Sequence, residues 1–345
     1  METNSVQQSN VRVAIIGAGI SGTMAAGATS SLSPTLFEAS SNKSCLENHE
    51  AVMRVRDPNV ALLMGCDLDK IRVQKMAYID GQLISESNIT ANNMYSMKTT
   101  GTIRNASIQN LGFCDRYLIR SKDVLFPKCK VECNHRLKTV KTMVDFSLEF
   151  EVPGFQNEKS SPYDICFPYD ICISTIPLPV MLQIVGIKIP EEIKFKTTSI
   201  HVGTSKLKTK SYVHQTIYFP QLRYKTYRAT LEGNEFILEA TDVVQNEELV
   251  FVLNTFNIKP EDMQSGWFKW TEQKNGKMTT IDGTIRRQLI WELTDKFNIF
   301  SLGRYAIWKP IRTDELLTDL NIIKKLIRVK SGHMDRYAIS KARTE

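Results

Sequence analysis

Val11-Arg-Val-Ala-Ile-Ile16 runs directly into Gly17-Ala-Gly19-Ile-Ser-Gly22, and Thr23-Met-Ala-Ala-Gly27-Ala follows. The opening run is almost continuously apolar and β-branched, the pattern of a strand covered on both faces in a parallel sheet. The small residues after Gly22 predict a helix, which Ser31-Leu-Ser-Pro34 breaks. Thr35-Leu-Phe-Glu38 then reads as a second strand. Gly17 suits a tight strand-to-helix turn, Gly19 lets a pyrophosphate approach the backbone, and Gly22 lets the helix lie close on the strand. Ala18, Ile20 and Ser21 complete that turn. Free amides and the dipole at the helix start suit phosphate charge. Glu38, 21 residues beyond Gly17, is placed to accept hydrogen bonds from an adenosine ribose, with Ala39 beside it. The bland alternative is a glycine turn without a ligand and a solvated glutamate. Strand, glycines, helix, second strand and acid in register favour dinucleotide binding.

The fingerprint does not choose between FAD and NAD. Two distant segments bear on that choice. Tyr169-Asp-Ile-Cys-Ile-Ser174-Thr175-Ile-Pro177 is a buried-type strand ending in a small polar pair and a proline turn. Asn298-Ile-Phe-Ser301-Leu-Gly303-Arg304-Tyr305 is a short apolar strand ending in Gly-Arg. With the N-terminal fingerprint, these elements resemble the FAD-dependent oxidoreductases of the amine oxidase and UDP-galactopyranose mutase type. The resemblance covers roughly 11–40, 165–180 and 296–328. It implies an α/β fold: a Rossmann-type FAD-binding domain with a parallel sheet, interleaved with a mixed or antiparallel substrate domain. It also implies FAD contacts at Ser174, Thr175, Gly303 and Arg304. A helix start at Thr313 and Asp314 is implied to face the pyrimidine end of the flavin. That family carries a Gly-Gly turn soon after the acidic residue, whereas Glu38 is followed by Ala-Ser-Ser-Asn-Lys-Ser-Cys. Arg54 and Arg56 are the expected substitutes for the diphosphate contacts of that region.

Thr313 is the expected N-cap of the last helix, with Asp314 and Glu315 in the first turn and Leu316, Leu317, Leu320, Ile323 and Ile327 as its apolar stripe. The expected organisation is a polar tail over 1–10, a cofactor domain over 11–180 with an insertion near 41–125, and a substrate domain over 181–295. A return to the cofactor domain over 296–330 and a tail over 331–345 complete it. Met76 to Ile84 reads as a hairpin turning at Asp80-Gly81, and Met143–Val152 as a strand with one wet face ending at Pro153-Gly154. Ser199–Thr204, Val213–Phe219, Tyr227–Leu231 and Glu235–Ala240 are further strands. Tyr212, Tyr218, Arg223, Tyr224, Lys225, Tyr227 and Arg228 form an aromatic and basic cluster. It suits a phosphorylated substrate or stacked bases, or is an exposed strand face; Arg228 is the likeliest functional member. Lys206-Leu-Lys-Thr-Lys210 reads as a solvated face.

The chain has 345 residues, 42% apolar and 23% charged, with a net charge of +7. That is globular composition with a mild basic excess suited to anionic partners. No apolar run approaches the length of a membrane span, and the first residues lack a secretory h-region, so the expected location is cytoplasmic. Seven cysteines at irregular spacing suggest reduced thiols. Cys129, Cys133 and His135 lack a distant second ligand pair, so ordinary thiols are preferred to zinc. Arg304, Trp308 and Arg228 are the expected catalytic residues, with Trp308 lining a flavin pocket or lying in the core. The expected activity is hydride removal from an amine- or hydroxyl-bearing carbon of a small or nucleotide-linked anionic substrate to flavin N5. The alternatives are a redox-neutral flavoenzyme and a non-catalytic FAD- or nucleic-acid-binding protein.

Overall fold

The computed structural model describes residues 11–41, 53–86, 88–103, 106–108, 111–120, 124, 129–142, 146–152, 163–264 and 268–328. The tails, Cys45, His49, Met143–Asp145, the turns at 153–154 and 160–162, Lys330 and His333 lie outside them.

β1 (Val13–Ile16), α1 (Ile20–Ala28) and β2 (Thr35–Phe37) form the N-terminal unit. Next come β3 (Met53–Val55), α2 (Pro58–Leu63), β4 (Asp69–Ile79), β5 (Gln82–Ile84), α3 (Ile89–Thr100) and β6 (Gly112–Ile119). The middle of the chain gives β7 (Lys130–Glu132), β8 (Arg136–Lys141), β9 (Ser147–Val152), β10 (Tyr163–Pro168), β11 (Ile171–Ser174) and α4 (Leu178–Ile184). β12 (Thr197–Lys206), β13 (His214–Tyr218), β14 (Thr226–Glu232), β15 (Glu235–Ala240), α5 (Asn246–Thr255) and β16 (Lys269–Met278) follow. α6 (Gly283–Phe297), β17 (Ile299–Ser301) and α7 (Leu316–Arg328) close the described chain.

Five strands in the order β17-β11-β1-β2-β7 form one parallel sheet. Alternate residues of β1 serve opposite cores. Val13 and Ile15 pack with α1, α2 and α7 on one face. Ala14 and Ile16 pack with α4, α6 and the β8–β9 hairpin on the other. Both faces are dry, which is why the strand reads as a continuous apolar run. Leu316, Leu320, Ile323 and Leu326 are the fully buried stripe of α7.

A second sheet has nine strands, with a path β16-β12-β15-β14-β13-β4-β6-β3 and β5 on β4. Its neighbours are antiparallel except β13 with β4. The hairpin at Asp80-Gly81 forms as the sequence predicts, with φ of 49° and 86°. β3 to β6, from the segment expected as an insertion in the cofactor domain, share one sheet with the strands of 197–278. α6, expected in the substrate domain, buries Leu289, Ile290 and Leu293 against the parallel sheet. Hydrophobic periodicity marks strands, but pairing across more than a hundred residues is decided only by tertiary packing. No helix among the described residues is long and apolar enough to cross a membrane.

A Cβ built on Gly22 would overlap the Gly17 carbonyl oxygen, a backbone atom with little room to retreat. Gly22→Ala is expected to cost about 3 kcal/mol of stability. A urea titration in which the variant stays within about 0.5 kcal/mol of the parent contradicts that close approach.

Candidate active site

The cradle is built where strands end. β1 stops at Ile16, and Gly17 turns with φ +95° while its amide donates to the Phe37 carbonyl at 2.8 Å. Gly19 is the N-cap of α1, and no acidic residue stands in the first turn of that helix. Its first amides therefore meet no carboxylate from their own helix. Glu38 closes the turn from the side: its carboxylate accepts from the Ala18 amide at 2.7 Å and the Ser40 amide at 2.9 Å. Ala39, between them, is exposed.

Two distant turns meet this one. After β11, the Thr175 amide and hydroxyl both donate to the Ile16 carbonyl, at 3.0 and 2.8 Å. A Cβ on Gly17 would lie 2.5 Å from Thr175 Oγ1. After β17, Leu302 donates to the Ser174 carbonyl at 2.8 Å, and Gly303 turns with φ +101°. A Cβ on Gly303 would overlap the Ser21 side chain. Ser174 is buried, and its hydroxyl has no partner among the described residues. Ile20, Ser21, Thr175, Gly303 and Arg304 thus line one cleft of about 310 Å³.

Arg304, Ile311, Arg312 and Thr313 also line a larger cavity of about 800 Å³, so the two spaces adjoin along these residues. The last helix starts later than expected. Arg312, not Thr313, is the N-cap of a 3-10 turn over Thr313–Glu315, and α7 begins at Leu316. The reason is that Glu315 reaches back to accept from the Arg312 amide at 2.7 Å. Thr313 Oγ1 lies instead 3.7 Å from Met53 Sδ. Asp314 accepts from the Arg56 and Asp57 amides at 2.7 and 3.0 Å, tying the end of β3 to this turn.

The floor of the larger cavity is the second sheet. Arg54 (β3), Lys75 (β4), Arg116 (β6), Tyr218 (β13), Arg228 (β14) and Lys277 (β16) all line it. Asn92, Asn93 and Tyr95 of α3, which packs on the same sheet through Tyr95, line it as well. A bulge in β14 between Thr226 and Arg228 shifts the register there. Tyr227 and Arg228 consequently both engage Glu239, one through its hydroxyl at 3.2 Å and the other through an ion pair. Burial opposes the Arg228 charge, but Glu239 outweighs it and holds the guanidinium protonated.

Arg54 corrects the diphosphate expectation. Its guanidinium is committed to Glu232, to Thr216 Oγ1 at 2.8 Å and to the Leu231 carbonyl at 3.1 Å, all on the second sheet. Glu232 also holds His214. Trp308 takes the second of its two expected places. It is buried in the core beside Phe195, its Nε1 donates to the Thr279 carbonyl at 2.9 Å, and it reaches neither space. Arg304 stays at the junction, with its guanidinium 4.9 Å from the Tyr305 ring centre. The aromatic and basic cluster is divided. Tyr218 and Arg228 face the cavity, Tyr224 stacks on Phe251 across the sheet, and Tyr212 is exposed. Lys206, Lys208 and Lys210 are exposed around buried Leu207, as expected of a solvated face. His135 packs against Phe37 and Phe150, with Nδ1 2.7 Å from the Cys133 carbonyl oxygen.

Lys75, Arg116 and Lys277 are absent from the sequence reading. A signal for Lys75 exists: it falls in phase with Ile71, Val73 and Ala77, the buried face of β4. Arg116 is likewise in phase with Leu118. A cation on an apolar stripe is a polar group turned inward.

No protein-family profile and no curated protein matches the chain by sequence. Solved structures match across nearly its whole length. Reduced UDP-galactopyranose mutase aligns with a TM-score of 0.63 at 13% identity, over 92% of this chain and 94% of that one. The chain has the fold of that mutase. A protein from Photorhabdus luminescens subsp. laumondii TTO1, provisionally named an FAD-containing monooxygenase, aligns at 0.53 and 12% identity, over 97% and 93% of the two chains. A protein from an Exiguobacterium species, provisionally named a protoporphyrinogen oxidase, aligns at 0.53 and 11% identity, over 91% and 99%. The Rossmann-type parallel sheet with a mixed second sheet, expected from the sequence, is the architecture shared with these neighbours.

Burial pushes the Lys75 ammonium down to about 8, and Arg116 adds to the effect. The unfolded chain holds that proton up to the ordinary value of 10.5, so Lys75 opposes folding below about 8 and is relieved as pH rises. Lys75→Met is therefore expected to stabilise the protein more at about pH 7 than at about pH 9.5. Urea midpoints of variant and parent at the two pH values measure this; an equal gain at both contradicts the depressed ammonium.

Proposed function

We propose that the protein is an FAD-dependent enzyme whose dinucleotide lies along the cleft from the 17–22 turn to Arg304 and whose substrate sits on the second sheet. The observation that carries this reading is the meeting of three turns, at 17–22, 174–175 and 302–304, beside a cavity that adjoins them. The residues fit such a group. Gly17 and Gly303 let the three turns close on one another, the α1 amides suit a diphosphate, and Glu38 stands at the β2 end for a ribose. When bound, the flavin supplies hydride acceptance from an amine- or hydroxyl-bearing carbon of a small or nucleotide-linked anionic substrate.

The chain's own residues position and balance charge. Arg304 and Arg312, at the junction of cleft and cavity, would supply positive charge beside a flavin held there. Arg228 is fixed by Glu239 and Arg54 by Glu232, so both present guanidinium groups to the cavity in set orientations.

The likeness to UDP-galactopyranose mutase favours a second reading, a redox-neutral reaction. Anaerobic absorbance separates the two: the hydride-transfer reading expects substrate to bleach an oxidised flavin, and the mutase-like reading expects turnover only after prereduction.

Purified protein is expected to be yellow and to release FAD on denaturation. Gly303→Val is expected to cut bound flavin about tenfold or more, because its side chain meets Ser21. Absorbance and chromatography of the released cofactor check both. A colourless protein releasing NAD overturns the reading.

A further inference from the structure

The cavity floor carries charge that the protein itself does not balance. Arg116 is only 6% exposed, and its Nη2 has no hydrogen-bond partner among the described residues. Its Nη1 is spent on the neighbouring Asp115 carbonyl, while the Asp115 carboxylate pairs with Lys70 at 2.8 Å. Lys75, on the adjacent strand, lines the same cavity and has no ion pair among the described residues. Lys277, on the edge strand β16, lines the cavity as well, with its ammonium 4.8 Å from the Tyr227 ring centre. Burial and then neighbouring arginines depress both lysines, each to about 8. The carboxylates nearest to hand are already engaged: Glu232 by Arg54 and His214, and Glu239 by Arg228 and Tyr227.

Like charges desolvated together destabilise the fold that holds them, and a counter-charge placed between them removes that cost. We propose that this face of the cavity seats a doubly charged phosphate group of a small-molecule substrate, with Lys75 and Arg116 supplying the balancing charge. A single carboxylate leaves half of that surplus standing; a phosphate dianion offsets two charges and offers several acceptor oxygens to ammonium and guanidinium donors. The assignment of that phosphate to a substrate rests on the flavoenzyme reading, whereas the anion site rests on Lys75 and Arg116 alone.

Inorganic phosphate is the probe, titrated calorimetrically into the protein as purified, at fixed ionic strength, with acetate as the singly charged comparison. Bound flavin is read by absorbance in the same samples. Phosphate is expected to bind and acetate to bind at least about tenfold more weakly. Arg116→Gln and, separately, Lys75→Met are each expected to weaken phosphate binding about tenfold or more. Both variants remove uncompensated charge, so circular dichroism is expected to show them folded; two sites on adjacent strands keep the test alive if one is not. Phosphate affinity unchanged in both variants overturns the proposal. Phosphate that binds only by expelling flavin overturns it as well, since the anion seated there is then the cofactor's own diphosphate. A colourless protein that binds phosphate through these residues keeps the anion site and removes the flavin reading; a yellow protein indifferent to phosphate does the reverse.

Discussion

At the C-terminal edge of the parallel sheet, α1 leaves β1 with Gly22 pressed on the Gly17 carbonyl, and the two later turns close in at Thr175 and Gly303. Every one of these approaches is too near for a side chain. Because the backbone is bare there, the ends of β1, β11 and β17 draw together into one cleft. The strand order places β11 between β1 and β17, so the outer turns approach over Ser174 and Thr175. The position of Arg304, and through it the meeting of cleft and cavity, follows from that contact.

The second sheet answers a different constraint. It buries one face against α5, through residues such as Phe236, Leu238 and Leu253. Part of the other face is aromatic core beneath α3, through Tyr95, Tyr218 and Tyr227. The remainder of that face is left to the cavity, and the polar groups there are fixed by ion pairs. Glu239 orients an arginine on the neighbouring strand and Glu232 one on the edge strand β3, whereas Lys75 has no ion pair among the described residues and Arg116 spends only Nη1, on the Asp115 carbonyl. Buried charge of this kind is poor for stability, and its retention marks a surface shaped for something other than folding.

The elements that were legible share a local cause. The strand at 13–16, the helix after Gly22, the Asp80-Gly81 turn and the strands from β12 to β15 follow from periodicity and turn chemistry within a few residues. Other placements depend on distant partners. Trp308 follows the Gly-Arg turn closely, yet the chain swings it into the core against Phe195. Arg54 lies near the fingerprint in the chain but on the far sheet in space, where Glu232 takes it.

The sequence alone determined the N-terminal strand, glycine turn and helix, and placed an acid at the end of the next strand. Those features are set by backbone sterics and short-range apolar patterning, which a linear reading contains. Only the tertiary structure decided that segments 53–119 and 197–278 form a single sheet, and that cations from its separate strands face one cavity. The reason is that strand pairing joins residues by register rather than by distance along the chain. A charge two residues from an apolar neighbour becomes an inward-facing charge only once the sheet has chosen which face is covered.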